Sequence, residues 1–305
     1  MYSLFANQII NILGFTALAF FMGLLATPIL THFLYKHKAW RKDREEKRKV
    51  PRLGGILIWF SVLLIFLLFN FKFWLGLLVL LLGALAGLAD DLLCIRPWEK
   101  ENLRIRGLRF FWRAVIIFLI GILTGYLLFS YYDFPFFYLA LSPLVMIIIF
   151  GGAPLDGLDG LFAGSVAPMF SAFAIIALAQ GQREIAIFSA IILGALLAFL
   201  YFNIPPARFF MGETGVIALL AVLPVLSFLT NSLLYLPIIA APLIATALSI
   251  LAQIFSFQVF KRRILIKSPL HHHLEGLGWP HYKITMRYWV FSVACAVLGT
   301  ALALS

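Results

Sequence analysis

Two adjacent carboxylates, Asp90 and Asp91, directly follow the apolar run 73–89. Because no polar loop separates them from that run, at least one should lie near membrane depth, where a carboxylate is costly and usually functional. A divalent cation would relieve the repulsion between two such neighbouring charges. The pair therefore predicts a metal site. The structural alternative is a solvated helix end paired with Arg96 or Arg104.

A glycine-rich segment at 151–161 carries two further acids, Asp156 and Asp159. Irregular backbone at membrane depth is tolerated where it lines a wet cavity. The free N–H groups and the acids of this segment could hold a polar ligand or a metal ion. The pattern alone is equally compatible with a tight turn.

A third polar segment, 203–215, combines Asn203, Arg208 and Glu213 with two phenylalanines at 209 and 210. It precedes another apolar run. By itself it is compatible with either a binding loop or a solvated connector.

Three consecutive histidines, His271, His272 and His273, follow a basic cluster at 261–263. On a helix they could not all face one metal ion, because helical ligands favour i, i+4 spacing. In a loop they could, or they could bind phosphates together with the nearby cations. A zinc site is disfavoured, since neighbouring thiolates and spaced histidine ligands are missing.

The elements that must position these residues are apolar. Of the 305 residues, 63% are hydrophobic and 12% charged, and the mean hydropathy is +1.01. A soluble domain has roughly 45–50% apolar and about 25% charged residues, so an integral membrane protein is expected. Cys94 and Cys295 lack the spacing of a metal site or redox pair. No basic region precedes the first apolar run, so a cleaved signal peptide is not expected.

We predict an all-α integral membrane protein of about ten transmembrane helices, forming one domain over residues 1–305. A bilayer core of about 30 Å needs about 20 apolar residues per helix. The predicted spans are 9–35, 53–69, 73–89, 110–130, 135–150, 161–180, 185–202, 214–229, 232–257 and 286–304. Pro237 and Pro242 are expected to kink the ninth.

The basic residues predict the orientation of these spans. Of the 24 lysines and arginines, 22 fall in odd-numbered connections, and only Lys72 and Arg183 fall in even-numbered ones. The positive-inside rule then places the odd connections in the cytoplasm and both termini outside. Eleven of the 13 acids and five of the six histidines share the cytoplasmic side. The active site is therefore expected at the cytoplasmic face.

Acids, cations and histidines on one face indicate phosphate chemistry, because Mg²⁺ and cations together clamp phosphate oxygens. The sequence has no GxxxxGK[ST] loop and no kinase motif set, so an ordinary nucleotidase domain is not supported. Cations that lie between spans are not a nucleic-acid footprint. Most of them set the orientation, and we expect Lys47 and Arg263 to face the phosphates of an anionic donor.

Five sequence motifs occur in an order typical of one enzyme family. They are KRKVPRLGG at 47–55, the pair Asp90 and Asp91 with GLRFFW at 107–112, DGLDG at 156–160, the loop 203–215, and the stretch 263–289 with PLHHHLE, GWP and RYW. In these motifs the chain resembles the polyprenyl-phosphate N-acetylhexosamine-1-phosphate transferases (glycosyltransferase family 4). Within them it most resembles the phospho-N-acetylmuramoyl-pentapeptide transferases. The triple histidine is the most specific feature, because it distinguishes this branch from GlcNAc-transferring relatives. The ten-span topology of the family agrees with the span count.

The resemblance implies a reaction. Undecaprenyl phosphate would attack the β-phosphate of UDP-MurNAc-pentapeptide, giving lipid I and UMP, with Mg²⁺ as cofactor. This would be the first membrane step of peptidoglycan synthesis, in a bacterial cytoplasmic (inner) membrane. The implied partners are this donor, the acceptor lipid and membrane lipid, with no nucleic acid, and a homodimer is left open.

The resemblance also implies roles for individual residues. Asp90 and Asp91 would lie near the metal and the lipid phosphate, and which of them acts as base is left open. Glu213 would be a metal ligand and Asp156 a further essential acid. The three catalytic histidines, His271, His272 and His273, would meet the diphosphate or sugar phosphate. The residues at the positions that cradle uridine are Lys47, Gly157, Leu158, Asp159, Asn203 and Phe210.

The chain departs from the family pattern at several of these positions. Two asparagines of the family are Phe150 and Ala153, an aspartate is Glu213, and a glutamine is Arg113. A glutamate displaces its carboxylate by one methylene, to which an octahedral Mg²⁺ site is sensitive. The lost asparagines remove hydrogen bonds that would orient the acids. These departures bear on the substrate and the metal geometry, whereas the predicted fold is unaffected.

Three alternative functions remain open at this stage. The nearest is transfer of GlcNAc-1-phosphate from UDP-GlcNAc to a polyprenyl phosphate, against which the triple histidine argues. An ion- or proton-coupled transporter that relays charge through Asp90, Asp91 and Asp156 would require acids in mid-span or on both sides. An inactive membrane scaffold is suggested by Ala153 and Glu213, but carboxylates near lipid are too costly to retain unused.

Overall fold

The computed structural model describes residues 2–37, 39, 50–95, 108 and 110–305. In these ranges the chain folds into helices joined by irregular connections, which confirms the all-α prediction. The helices are α1 (Tyr2–Lys36), α2 (Ile56–Phe69), α3 (Trp74–Ile95), α4 (Phe110–Tyr131), α5 (Tyr138–Phe150), α6 (Leu161–Ala179), α7 (Arg183–Asn203), α8 (Glu213–Leu229), α9 (Leu236–Ile239), α10 (Ala241–Phe260), α11 (Leu270–Gly276) and α12 (His281–Leu304).

Eight helices in the described ranges are long and apolar enough to cross a membrane. They are α1, α3, α4, α5 (extended to Leu155), α6, α7, α10 and α12. The two remaining predicted spans correspond to the shorter apolar helices α2 and α8. The predicted ninth span is interrupted: a 3-10 turn and the four-residue α9 precede α10, and the break falls at Ala240, between two prolines.

Helix α8 lies at the centre of the bundle. Its residues from Thr214 to Leu229 are all buried, as expected for a helix that is apolar on every side. It packs most extensively against α3 and also contacts α2, α4, α5 and α6. Other helices pack in a series beside this centre: α1 packs against α7, α7 against α6, and α6 against α12. The start of α8 is therefore enclosed by other helices.

Large apolar side chains cover the outside of the bundle. Leu25 is 73% exposed, Ile29 is 75% exposed and Val290 is 72% exposed, on α1 and α12. An apolar surface of this extent is stable only in contact with lipid, because it would drive aggregation in water. The protein is accordingly a multi-pass membrane protein.

Two helix boundaries differ from the predicted spans in ways that affect the polar residues. Helix α3 continues to Ile95, so Asp90 and Asp91 lie within it rather than after it. Both carboxylates are fully buried. The three histidines form a short helix of their own, α11, and α12 begins at His281, five residues before the predicted span.

Candidate active site

A four-residue repeat of small residues on α3 positions its acids. Gly83, Gly87 and Asp91 share one face of the helix, because residues four apart lie above one another. A Cβ added at Gly87 would lie 2.1 Å from the carbonyl oxygen of Glu213. The glycines thus let α3 and α8 touch through their backbones, as small residues do between membrane helices. This contact brings Asp91 to the first turn of α8.

Asp91 caps α8 from the neighbouring helix. Its Oδ1 accepts a hydrogen bond from the N–H of Glu213 at 3.2 Å, and its Oδ2 accepts one from Thr214 at 3.0 Å. These donors belong to the helix start, where N–H groups lack partners within the helix and the dipole favours a negative charge. Gly212 makes room for the carboxylate: its φ is 74°, and a Cβ there would lie 2.5 Å from Asp91 Oδ2.

Asp90 points instead towards the start of α4. Its Oδ1 accepts a hydrogen bond from the backbone N–H of Leu108, and Nη2 of Arg113 lies 3.1 Å from its Oδ2. The Nη1 of the same guanidinium pairs with Oε1 of Glu213. Arg113 therefore bridges two acids that come from different helices, α3 and α8.

Asn203, the last residue of α7, ties two loops together. Its Oδ1 accepts a hydrogen bond from the N–H of Gly160 at 3.0 Å, and its Nδ2 donates to the carbonyl of Phe209 at 2.8 Å. Gly160 has a φ of 71°, which favours glycine. Asp159 adds a second link, since its Oδ2 accepts a hydrogen bond from the N–H of Ala207 at 3.0 Å. The loops that precede α6 and α8 are thus fixed to each other.

A polar cavity of about 860 Å³ lies between these elements. Its lining residues are Val50, Arg52, Phe110, Arg113, Phe150, Ala153, Pro154, Asp156, Gly157, Leu158, Asp159, Asn203, Ala207, Phe210, Gly212, Glu213, Val216 and His281. Five of the six residues predicted to cradle uridine are among them. The sixth, Lys47, lies outside the described residues.

Asp156 faces the cavity from the loop before α6. Although its side chain is open to the cavity, protein surrounds the carboxyl on most sides, and this poor solvation raises its pKa from 3.8 to about 7. The charge of Arg52 lowers the pKa, whereas the charges of Asp91 and Asp159 raise it further. Asp156 can therefore exchange a proton near neutral pH, which suits a group that works beside a phosphate.

His271 lies beneath the cavity loop and not in the cavity. It is fully buried against Gly157, where a Cβ would lie 2.7 Å from its Nε2. Burial lowers the pKa of His271 to about 3, so its ring is neutral at physiological pH. The predicted contact of this residue with a phosphate would therefore be that of a neutral imidazole.

The next two histidines make further contacts, and His272 stays on the same side as His271: its Nε2 lies 3.4 Å from a Cβ built at Gly157. The Nδ1 of His272 lies 2.9 Å from Oε2 of Glu275, and the Nδ1 of His273 accepts a hydrogen bond from the N–H of Ile266 at 3.1 Å. The Oε1 of Glu275 lies 2.8 Å from Nε2 of His281, which does line the cavity. The hydrogen bonds from His272 and His281 lower the pKa of Glu275. His271 and His272 thus lie together behind Gly157, whereas His273 is engaged by the backbone of Ile266.

Arg263 lies apart from the polar cavity. It lines a different cavity of about 400 Å³ at the end of α10, together with Lys267, Ile254 and Phe257. Arg263 was predicted to contact the donor phosphates near the acids. In this structure it lines a different cavity from Asp156 and Glu213.

The comparison with known proteins decides the family. Residues 73–231, more than half of the chain, match the model of glycosyl transferase family 4. The chain belongs to this family. The match covers α3 to α8 and thus every acid described above except Glu275.

Relatives similar over most of the chain carry one name. The phospho-N-acetylmuramoyl-pentapeptide-transferase of Bacillus pumilus (strain SAFR-032) is 35% identical over 92% of this chain and 94% of its own length. That of Bacillus subtilis (strain 168) is 34% identical over 95% and 97%, and that of Oceanobacillus iheyensis is 33% identical over 92% and 94%. The predicted resemblance to a phosphotransferase family is confirmed.

Sequence reasoning did not assign a site role to Arg52, Arg113 or His281, which line the cavity of this family member. Each lies at or near the start of a helix on the side predicted to be cytoplasmic. This position could have predicted a site role, because a cation at the end of a membrane helix beside buried acids has a charged partner within reach.

The residues present fit a magnesium ion in part. Among the described residues, Oδ2 of Asp90 and Oε2 of Glu213 are buried oxygens that accept no hydrogen bond. Mg²⁺ in proteins commonly takes one or two carboxylates and completes its octahedron with water and phosphate oxygens. Both oxygens of Asp91 are engaged by backbone N–H groups, which makes it a positioning group. In the part of the chain that the structure describes, no three acidic, histidine or cysteine side chains form a ready-made metal site.

Proposed function

We propose that this protein transfers phospho-MurNAc-pentapeptide from its UDP donor to undecaprenyl phosphate, giving lipid I and UMP. The observation that carries the proposal is the polar cavity, in which acids from α8 and the loop before α6 meet Arg52 and Arg113 between membrane helices. Arg113 connects this cavity to the buried Asp90 of α3. The names of the relatives supply the substrate class. The reaction would be the first membrane step of peptidoglycan synthesis, in the bacterial cytoplasmic membrane.

The geometry supports the following division of labour. An oxygen of the acceptor phosphate attacks the β-phosphorus of the donor, the bond from that phosphorus to the bridging oxygen breaks, and UMP leaves with the electron pair. Arg52 and Arg113 face the cavity and would stabilise the charge on the phosphoryl oxygens. Asp90 and Glu213 would hold Mg²⁺, which would neutralise charge on the diphosphate. Asp156, with a pKa of about 7, would exchange the proton of the acceptor phosphate.

The opposite part of the cavity would hold the nucleoside. Gly157 and Leu158 supply backbone close to the ligand, and Phe210 supplies an aromatic ring for the base. Asn203 and Asp159 line the same region while they fix the two loops to each other. A nucleoside bound there would directly contact residues whose positions are already set before binding.

We assign Arg263 to the acceptor lipid rather than to the donor. The cavity that it shares with Lys267 is partly walled by Ile254 and Phe257 at the end of α10. Cations beside apolar side chains at the end of a membrane helix suit an amphiphilic phosphate, whose chain stays in lipid while its head group meets the cations.

We further propose ten membrane spans with both termini outside. Eight helices meet the length of a span, and α2 and α8, both apolar, would complete the set. The basic connections would then be cytoplasmic. This arrangement places the polar cavity at the cytoplasmic face, where a UDP-linked donor is made available. The family match and the one-sided acids favour the transferase over an ion-coupled transporter.

Release of UMP tests the proposal directly. Purified protein is incubated with a polyprenyl phosphate and either UDP-MurNAc-pentapeptide or UDP-GlcNAc, with and without Mg²⁺. We expect release only with the muramyl donor and only with the ion. Release from UDP-GlcNAc alone would assign the protein to the GlcNAc branch, and no release from either donor would refute both enzyme functions.

Two variants test the acid assignment. Asp90→Asn keeps the shape of the side chain but removes its charge, so turnover should fall at least about 100-fold. Glu213→Asp retains the carboxylate, and activity should stay within about tenfold of the wild type if the residue ligates a metal. Full activity of Asp90→Asn would remove that residue from the site.

A further inference from the structure

The guanidinium of Arg113 occupies the place where a cation would join α3 to α8. Its Nη2 lies 3.1 Å from Oδ2 of Asp90, and its Nη1 pairs with Oε1 of Glu213. The Asp90 side chain is fully buried, and the side chains of Arg113 and Glu213 are 19% and 22% exposed. Water therefore screens these charges only in part.

The acids around this arginine outnumber it. Asp90, Asp91, Asp156 and Glu213 lie close enough for their charges to interact. Removing the guanidinium would leave Asp90 and Glu213 facing each other with no compensating charge from α4. A cluster of this kind needs a cation in the same place, from the protein or from solution.

The arginine and a metal ion would use the same two carboxylates and would share one oxygen, Oδ2 of Asp90. Oδ2 of Asp90 and Oε2 of Glu213 accept no hydrogen bond among the described residues, and Nε of Arg113 is likewise buried without an acceptor there. A divalent ion held between the two carboxylates would lie within a few ångström of the guanidinium and be repelled by it. The ion and the bridging arginine therefore exclude each other in this geometry.

We propose that Arg113 is a built-in counter-cation that competes with a divalent metal ion for Asp90 and Glu213. The inference deepens the proposed function and rests on its metal site. It means that the acid cluster of this protein is stable without a metal ion, and that the ion must displace the arginine from the carboxylates in order to bind.

Metal binding without substrate tests this competition separately from turnover. Mn²⁺ serves as the probe, and electron paramagnetic resonance of free Mn²⁺ is used to titrate the purified full-length protein in detergent. Arg113→Gln should bind Mn²⁺ at least tenfold more tightly than the wild type, which corresponds to about 1.4 kcal/mol. Arg183→Gln is the matched control, because it removes one positive charge at the opposite end of α7, and its affinity should equal that of the wild type.

Mn²⁺ binding by Arg113→Lys tests the same competition if Arg113→Gln does not fold. Lysine keeps the charge but is a point charge that cannot pair with both carboxylates as a planar guanidinium does. We expect Mn²⁺ affinity at least threefold above that of the wild type. Affinity of both variants at or below the wild-type value would overturn the proposal. Absence of Mn²⁺ binding in every protein, the wild type included, would overturn it together with the metal site, whereas loss of UMP release alone would bear only on the proposed function.

Discussion

Asp156 combines access to the cavity with a carboxyl that water solvates poorly. Its pKa is raised to about 7, chiefly by this desolvation, and the positive charge of Arg52 offsets only part of the effect. A group placed in this way is poorly suited to stabilising the fold, because its ionised form is disfavoured in the folded protein. Its retention at a cavity wall is instead typical of a functional acid.

The stability of an Asp156→Asn variant tests this property. The folded state holds the proton of Asp156 more tightly than the unfolded state, so the wild type loses stability as the pH rises from about 4 through about 7. Asparagine cannot ionise. We expect thermal unfolding of Asp156→Asn at a higher temperature than the wild type at about pH 8, and a much smaller difference at about pH 4, close to the unfolded-state pKa. Equal midpoints at both pH values would show that the carboxyl is well solvated.

At the scale of elements, the start of α8 depends on a side chain from another helix. Gly212, at the N-cap position, has no side chain to satisfy the first N–H groups, and Asp91 of α3 accepts two of them. This contact also sets the position of Glu213. The capping interaction therefore links the stability of α8 to the geometry of the site.

Asp91→Ala should destabilise the protein by about 1–3 kcal/mol, the range for a lost N-cap that leaves buried donors unpaired. Asp91→Asn retains one acceptor oxygen and should lose less than half as much. Chemical unfolding in detergent, followed by circular dichroism, measures both. If the alanine and asparagine variants were equally stable, the hydrogen bonds of Asp91 would not be what holds α8 in place.

The close contact between α3 and α8 leads to a second prediction, about the effect of a larger residue at Gly87. A Cβ at Gly87 would lie 2.1 Å from the carbonyl oxygen of Glu213, so Gly87→Ala forces the helices apart. We expect a loss of about 1–3 kcal/mol in stability, as for overpacking in a core, together with reduced UMP release. Gly14→Ala is the matched control, because a Cβ there meets nothing within 4 Å and should be neutral or slightly stabilising. Wild-type stability of Gly87→Ala would contradict the close contact.

Sequence patterns predicted the elements better than the directions of their side chains. The polar pair Asp90 and Asp91 ended a predicted span, but α3 continues past it, because Arg113 and the start of α8 satisfy the two charges. Such partners are distant in sequence and carry no periodic signal. The three histidines show the same limit: on α11, His271 and His272 both lie beside Gly157, whereas His273 turns to the backbone of Ile266.

At the scale of the whole molecule, the pattern of charge was the most informative feature of the sequence. Counting basic residues by connection predicted a single polar face, and the structure brings the acids of α8 and of the loop before α6 to one cavity, with Asp90 of α3 joined to it through Arg113. Arg263 shows where such a count ends. Counting charges by connection assigns a residue to one face of the membrane but not to a cavity, since two cavities at the same end of a bundle can both be lined by basic residues.

The orientation itself yields the last prediction. The predicted topology places residue 305 outside and the segment around Glu275 in the cytoplasm, because 22 of the 24 basic residues fall in connections on the latter side. Alkaline phosphatase, which is active only outside the cytoplasm, should therefore be active when fused after Ser305 and inactive when fused after Glu275. Green fluorescent protein, which fluoresces in the cytoplasm, should give the opposite pair of results. Fluorescence at Ser305 together with phosphatase activity at Glu275 would mean that the orientation is inverted or that, with the N-terminus outside, the number of spans is odd. In the second case α2 or α8, the two short apolar helices, does not cross the membrane.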